Sequence, residues 1–499
     1  MRRRDFLKKS AWLTGSFLLG GGWSGCRRPV SGFPHIIFIM ADDMGYGDLS
    51  CLNPESRIPT PQMDRLAAEG VVFTDAHSGS SVCTPTRYGL LTGRYSWRTR
   101  LKKGVLNGYS RCLIETDRLT VASLLKKHGY HTACIGKWHL GLTEYSPERP
   151  NLTLDEFTRP LRPGPNELGF DYWFGIPASL DMAPYVYIRN GVVTAPPTGR
   201  IEASPYPAFY RRGPIAPDFR HEEVLPRLAE EAVQFIRRHQ RSTPERPFFL
   251  YLALTAPHTP WVPLPAFRGR SRAGLYGDFV TQVDDVVGRL LRVLDEERLA
   301  GQTLVILTSD NGADERFIGD YNNGVSGPGA NFGHEANYIY RGQKSDIWDG
   351  GHRIPFIARW PGVIRAGRQC SKLVCLTDLL ATCAELVGAQ LPENAGEDSF
   401  SFLPYLQGRK PSGPVREAVV HHSIDGSFAL RRGRWKYIAT PGSGGWSKGG
   451  DKWPAQLYDM KADLSERRNL YGDPAYQEIV EELKALLRRC QEQGFTRPR

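Results

Sequence analysis

The 499-residue sequence has no apolar run long enough to cross a bilayer as a helix. The nearest candidate, Ala11 to Gly22, falls short of the ~20 residues such a helix needs. The body of the chain therefore gives no reason to read it as an integral membrane protein. There is no internal repeat, which removes solenoids and propellers. Nine cysteines occur, at 26, 51, 83, 112, 134, 370, 375, 383 and 490, and none has zinc-like spacing. A strong charge imbalance is missing too. The net charge is +11, but seven basic residues and one Asp lie in the first 28 positions, which leaves about +5 for the rest. That is too mild for nucleic-acid binding, while a locally basic pocket for an anionic substrate remains open. The 52 Gly and 37 Pro imply many loops, not disorder, because 11% aromatic residues need a core to sit in. A chain of this length exceeds one core, since single cores stop growing near ~250–300 residues.

The first residues read as an address. Arg3-Arg4-Asp5-Phe6-Leu7-Lys8 matches a twin-arginine export motif ahead of the apolar run. Trp23-Ser24-Gly25-Cys26 has the shape of a lipoprotein cleavage box, with Trp where Leu is expected. Plain signal cleavage nearby is the alternative. Residues 1–28 are thus expected to be a signal, and the protein to be exported folded to the periplasm. Membrane attachment would come only through a lipid on Cys26 or during export. Export permits disulfides, and Cys370 and Cys375 are close enough in sequence to pair.

Several apolar, β-branched runs read as buried parallel strands, and each delivers polar residues at its carboxyl end. Phe33 to Met40 delivers Asp42 and Asp43, two adjacent carboxylates suited to a hard cation. Tyr130 to Ile135 delivers Lys137 and His139. Two residues apart, these share a face in an extended segment, and they suit oxyanion binding and proton transfer. Pro247 to Leu254 delivers His258, held between Pro257 and Pro260 as a rigidly placed leaving-group acid. Thr303 to Thr308 delivers Asp310 and Asn311, both oxygen donors. Ser179 follows the strand and turn at 169–179. Taken singly, each has a bland account: an Asp-rich turn, a surface lysine, a loop histidine, a hydroxyl in a turn. Cys83, in a Ser-rich loop beside Arg87, could equally be a structural thiol.

Read together, Cys83-Thr84-Pro85-Thr86-Arg87 followed by Thr92-Gly93-Arg94 resembles the active-site signature of the type I sulfatases. Gly136-Lys137-Trp138-His139-Leu140-Gly141 is similar to the family's second signature. The resemblance covers nearly all of the chain after residue 28. It implies that a maturase oxidises Cys83 to Cα-formylglycine, whose aldehyde hydrates to a gem-diol that attacks sulfur. It also implies a Ca2+ bound by Asp42, Asp43, Asp310, Asn311 and the residue at 83. Arg87 and Lys137 would orient the nucleophile, and Lys344, Lys137 and His258 would hold the sulfate. His258 would protonate the leaving alcohol, His139 would take the diol proton, and Ser179 would line the pocket. The related alkaline phosphatases place histidine where Asn311 stands and bind zinc.

The expected fold is α/β: a large, mostly parallel mixed sheet flanked by helices, alkaline-phosphatase-like, over 33–410. A smaller C-terminal α+β domain over 411–499 would carry a four-stranded antiparallel sheet and one helix. Helices are expected at Thr60–Glu69, after Pro85, and at Leu119–His128, Glu222–Arg241, Tyr276–Glu297, Ser371–Val387 and Pro474–Gln491. Residues 190–220 read as a surface excursion and 312–340 as an ordered loop or lid. Trp138, Trp173, Trp261 and Trp348 near the motif loops suit a sulfated sugar, although such residues also serve packing. His352 could contact a sugar or pack. The expected substrate is a sulfated carbohydrate. An aryl sulfatase, a phosphonate monoester or phosphodiester hydrolase, and a non-catalytic glycan binder with an unmodified Cys83 stand as alternatives.

Overall fold

The computed structural model describes residues 32–316 and 332–498. The signal, the Cys26 box and residues 317–331 of the expected lid lie outside the described residues.

The ten-stranded sheet is built around three long strands whose residues are all buried. These are β1 (His35–Asp42), β7 (Phe248–Pro257) and β8 (Thr303–Ser309). The others are β2 (Val71–Phe73), β3 (His131–Lys137), β4 (Tyr172–Ile176), β5 (Ile188–Arg189), β6 (Val192–Val193), β9 (Phe356–Arg359) and β10 (Arg368–Cys370). Their spatial order is β10-β2-β9-β8-β1-β7-β3-β4-β5-β6. The centre from β8 to β4 is parallel, while β9 and the β5–β6 hairpin run antiparallel. Strands covered on both faces need apolar residues throughout, which is why these runs lack alternation.

Helices α1 (Pro61–Ala68), α2 (Cys83–Thr92), α3 (Val121–Lys127), α4 (His221–Ser242), α5 (Gly274–Glu296) and α6 (Leu379–Leu386) accompany this sheet. Thr60 precedes α1 as expected, but its hydroxyl serves Ser50 and Asp64 instead of capping. The Asp284 carboxylate on α5 accepts the Gln62 and Met63 amides in its place, at 3.0 and 2.8 Å. The helix expected over Ser371–Val387 is confined to α6. A 3-10 turn, Leu376–Asp378, leads into it, and before that Val374–Cys375 is a strand paired with Ala76–His77. Cys370 and Cys375 are separate thiols.

The C-terminal region has the expected antiparallel sheet, β11 (Val419–His422), β12 (Phe428–Arg432), β13 (Trp435–Ile438) and β14 (Gln456–Asp459), with α7 (Gln477–Glu492). One apolar face packs Val420, Leu430 and Leu457 with Leu483 and Leu487 of α7. Strand β11 also meets the region of the larger sheet, because His422 bridges to Ser80 and Tyr95 Oη accepts the Val420 amide.

Candidate active site

Helix α2 begins at Cys83 itself, with Pro85 in the first turn, where a missing N–H costs no helical bond. Arg87, four residues on, falls on the same helix face as Cys83. Both are buried against the carboxyl ends of β1, β3 and β8.

Three carboxylates and three cations are packed there in pairs. Lys137 Nζ lies 2.8 Å from both carboxylate oxygens of Asp42. Arg87 donates to Asp310 Oδ2 from Nε (3.1 Å) and Nη2 (2.7 Å), and from Nη1 to the Lys137 carbonyl (3.1 Å). Lys344 Nζ lies 2.6 Å from Asp43 Oδ2. Asp43 has φ of 66°, a left-handed turn that Asp tolerates better than most residues. Ligand atoms of Asp42, Cys83 and Asp310 lie within 4.8 Å of one another, as do those of Asp42, Asp43 and His258.

These residues fit a hard divalent cation. Asn311 donates its amide protons to Asp43 Oδ1 (2.7 Å) and the Gly312 carbonyl (2.9 Å). Its Oδ1 is buried with no hydrogen-bond partner among the described residues. An orphaned buried oxygen amid three carboxylates is what a calcium ligand looks like before the ion is placed. Electrostatics agree. Burial raises the Asp42 carboxyl, but Lys137, His258 and Arg87 more than offset it and hold it low. Asp310 is pushed up by burial and by Asp42, a repulsion that a cation would relieve.

The thiol of Cys83 is not poised to act. Burial pushes it up despite the charges of Lys137 and Lys344, so it stays protonated. His258 has Nδ1 2.6 Å from the Thr259 carbonyl and Nε2 3.6 Å from Asp43 Oδ2.

His139 is fully buried, with Nε2 2.7 Å from the Leu106 carbonyl and Nδ1 unpartnered among the described residues. Contrary to the expectation of a shared extended face, His139 turns left-handed (φ 57°) and does not stand beside Lys137 as alternate residues of a strand would. Burial and the Lys137 charge hold its ring neutral. Ser179 Oγ is buried and has no hydrogen-bond partner among the described residues.

Two features were not anticipated. Asp181 forms an ion pair with Arg211, and its Oδ1 lies 3.9 Å from His258 Nδ1. No local signal marks it, since Arg211 comes from the excursion 30 residues on. Trp446, from the Gly-rich C-terminal loop, stands beside Lys344. By contrast Trp138, Trp173, Trp261 and Trp348 are all buried packing residues, so the expected sugar platform is not theirs. His352 is likewise a packing residue, stacked on His421 at 3.8 Å between centroids.

A family model described as "Sulfatase" matches residues 34–389, most of the chain, and one described as "N-sulphoglucosamine sulphohydrolase, C-terminal" matches 343–493. The chain belongs to the sulfatase family. This sulfatase is 36% identical to the N-acetylgalactosamine-6-O-sulfatase of Bacteroides thetaiotaomicron, over 93% of this chain and 96% of that one. It is 34% identical to human arylsulfatase A, over 91% and 87% respectively. A solved Bacteroides thetaiotaomicron structure, described under metabolism of multiple glycosaminoglycans, superposes with a TM-score of 0.79 at 33% identity. That match covers 92% of this sulfatase and 99% of the other chain. The phosphonate monoester hydrolase of Agrobacterium radiobacter shares the fold, at 20% identity and a TM-score of 0.60.

Proposed function

We propose that this sulfatase removes sulfate from a sulfated carbohydrate, with 6-O-sulfated N-acetylgalactosamine as the leading substrate. The substrate class is supported by the name of the Bacteroides relative and by the pig N-acetylgalactosamine-6-sulfatase, 34% identical over 79% of this chain. Formylglycine at position 83 and Ca2+ complete the chemistry. The observation that carries this reading is the orphaned Asn311 Oδ1 among three buried carboxylates, beside a thiol too protonated to attack.

Asp42, Asp43, Asp310, Asn311 and the side chain at 83 would hold the ion. When bound, it would supply Lewis-acid polarisation of the sulfate, and the converted Cys83 would supply the attacking hydroxyl. The chain's own residues do the rest. Arg87 and Lys137 fix the nucleophile's orientation through their bonds to Asp310 and Asp42. Lys344 and His258 face the same side of Asp43 and stabilise charge on sulfate oxygens. Once protonated, His258 keeps Nδ1–H on the Thr259 carbonyl and presents Nε2–H to the leaving oxygen. His139 donates Nε2–H to the Leu106 carbonyl, which leaves Nδ1 as a lone pair able to accept a proton. Ser179 is a pocket residue. A maturase acting before folded export by the twin-arginine route, to the periplasm, belongs to the same proposal.

The identity with arylsulfatase A favours a second reading, an aryl sulfatase. Two measurements test the proposal. Mass spectrometry of the peptide spanning Thr74 to Arg87, from the native host, should show formylglycine at 83. An intact thiol there would instead favour a glycan binder. N-acetylgalactosamine 6-sulfate should be turned over with higher kcat/KM than 4-nitrophenyl sulfate, and a phosphodiester preference would move the chain to another activity.

A further inference from the structure

The Gly-rich loop of the C-terminal region is stitched to the loop that carries Lys344. Trp446 N–H donates to Ser345 Oγ (2.9 Å), Ser447 N–H to Asp346 Oδ1 (3.1 Å), and Gln343 Nε2 to Ser447 Oγ (3.1 Å). The Ile347 amide returns to the Ser443 carbonyl at 2.7 Å. Gly445 must be glycine, because a β-carbon there would lie 2.5 Å from the Ser345 carbonyl oxygen. These bonds fix the backbone that carries Trp446.

What the indole faces is not core. Lys344 Nζ lies 5.9 Å from its ring centroid while reaching Asp43 at 2.6 Å. The Arg316 guanidinium lies over the ring at 3.4 Å, clamped to Asp314 by Nε (3.0 Å) and Nη2 (2.8 Å). Trp446 is only half-buried, unlike the four tryptophans of the motif loops. A half-buried indole on a hydrogen-bonded loop, with a flat cation over it and the sulfate-facing lysine 5.9 Å from its centroid, is an aromatic face already used to hold positive, planar groups beside Lys344.

We propose that Trp446, supplied by the C-terminal region, is the specificity-determining wall of the active site. Its indole takes the pyranose ring of the leaving sugar while the sulfate sits at Lys344. The sugar's C–H face replaces the guanidinium on the ring, and Arg316, still bonded to Asp314, turns to the sugar's hydroxyls. This rests on the carbohydrate sulfatase reading above and narrows it: the leaving group is a ring with one apolar face, not an extended alcohol.

Matured, Ca2+-loaded wild type, Trp446→Ala and Trp446→Phe are compared on N-acetylgalactosamine 6-sulfate, with inorganic sulfate as a competitive inhibitor that has no leaving group. Trp446→Ala should raise KM about tenfold or more with kcat reduced less, the pattern of lost ground-state binding. The inhibition constant for sulfate should change less than about twofold, and Trp446→Phe should recover most of the KM, because its flat ring still stacks. If sulfate inhibition weakens in proportion to KM, or if KM does not move, Trp446 merely props Lys344 and the proposal is wrong. Should Trp446→Ala fail to fold, Trp446→Leu, apolar but not planar, replaces it and must show the same split. Wild-type protein that turns over no sulfated sugar would instead overturn the reading beneath.

Discussion

Arg87 and Asp310 are joined through a single carboxylate oxygen: Nε and Nη2 of the guanidinium both donate to Oδ2, at 3.1 and 2.7 Å. The other oxygen, Oδ1, accepts the Asp43 amide at 3.2 Å. One residue thus neutralises a ligand, aims it and ties helix α2 to strand β8. Arg87→Ala leaves Asp310 buried without its cation, and breaking a buried pair in this way costs ~3–5 kcal/mol. Urea unfolding should show that loss, and turnover should fall by more than about 100-fold. A variant as stable and active as wild type would mean that the pair is dispensable.

Removal of the proposed ion should be milder for the fold than for turnover. Asp42, Asp43 and Asp310 each have a cation at 2.8 Å or less, in Lys137, Lys344 and Arg87, so the ion-free site is already charge-balanced. Dialysis against a calcium chelator should abolish activity and lower Tm by a few degrees. Binding at 100 times Kd is worth only about 2.7 kcal/mol. Added Ca2+ should restore both. A chelated enzyme that keeps full activity would remove the ion from the proposal.

Cys83→Ala should separate chemistry from structure. The side chain is buried at the start of α2 and makes no hydrogen bond that the helix needs. Losing one sulfur should cost on the order of 1 kcal/mol of packing. Circular dichroism and Tm should stay near wild type while turnover of any sulfate ester disappears. Residual activity equal to wild type would refute a nucleophile derived from position 83.

The strands were legible because burial on both faces leaves unbroken apolar runs, and Asp42, Lys137, His258 and Asp310 stand at their carboxyl ends, though each has a bland account alone and gained weight only from the motif resemblance. What stayed hidden depends on contacts across the chain. Thr60 looks like a cap, yet Asp284 on α5 takes the amides, a choice that packing makes and local sequence does not. Asp181 becomes a site neighbour only because Arg211 folds back onto it. Trp446 sits in a Gly-rich stretch that reads as an idle turn until Ser345 and Asp346 receive its backbone. The motif-loop tryptophans erred the other way: proximity in sequence to catalytic residues says nothing about which face of the sheet they fill. Helix ends shifted for the same reason, with Val374–Cys375 drawn into pairing by the edge at Ala76–His77.

The junction between the two sheets should make the protein acid-sensitive. His77, His352 and His421 meet there; His352 and His421 are stacked 9° from parallel, and His77 Nδ1 is 3.0 Å from His352 Nδ1. Charged neighbours surround them: Asp75 on His77 Nε2 (3.0 Å), Lys436 on His352 Nε2 (3.2 Å), and Asp349, Arg353 and Arg431 close by. Burial lowers all three imidazoles; His421 and Lys436 lower His352 further, and His77 and Lys436 lower His421 further. The unfolded chain takes up protons near the ordinary value of ~6.5, and the native cluster refuses them. Stability is therefore complete above that pH and falls below it, by about 1.4 kcal/mol per pH unit for each histidine held neutral. His421→Phe keeps the flat ring in the stack but removes one proton site, at the cost of the bond from Nδ1 to the Ser78 carbonyl. It should be less stable than wild type at pH 7, and its loss between pH 6 and 5 should be shallower by about 1.4 kcal/mol per unit. Urea unfolding at pH 7, 6 and 5 reads both numbers. Parallel pH profiles for the two proteins would show that His421 carries its proton in the native state.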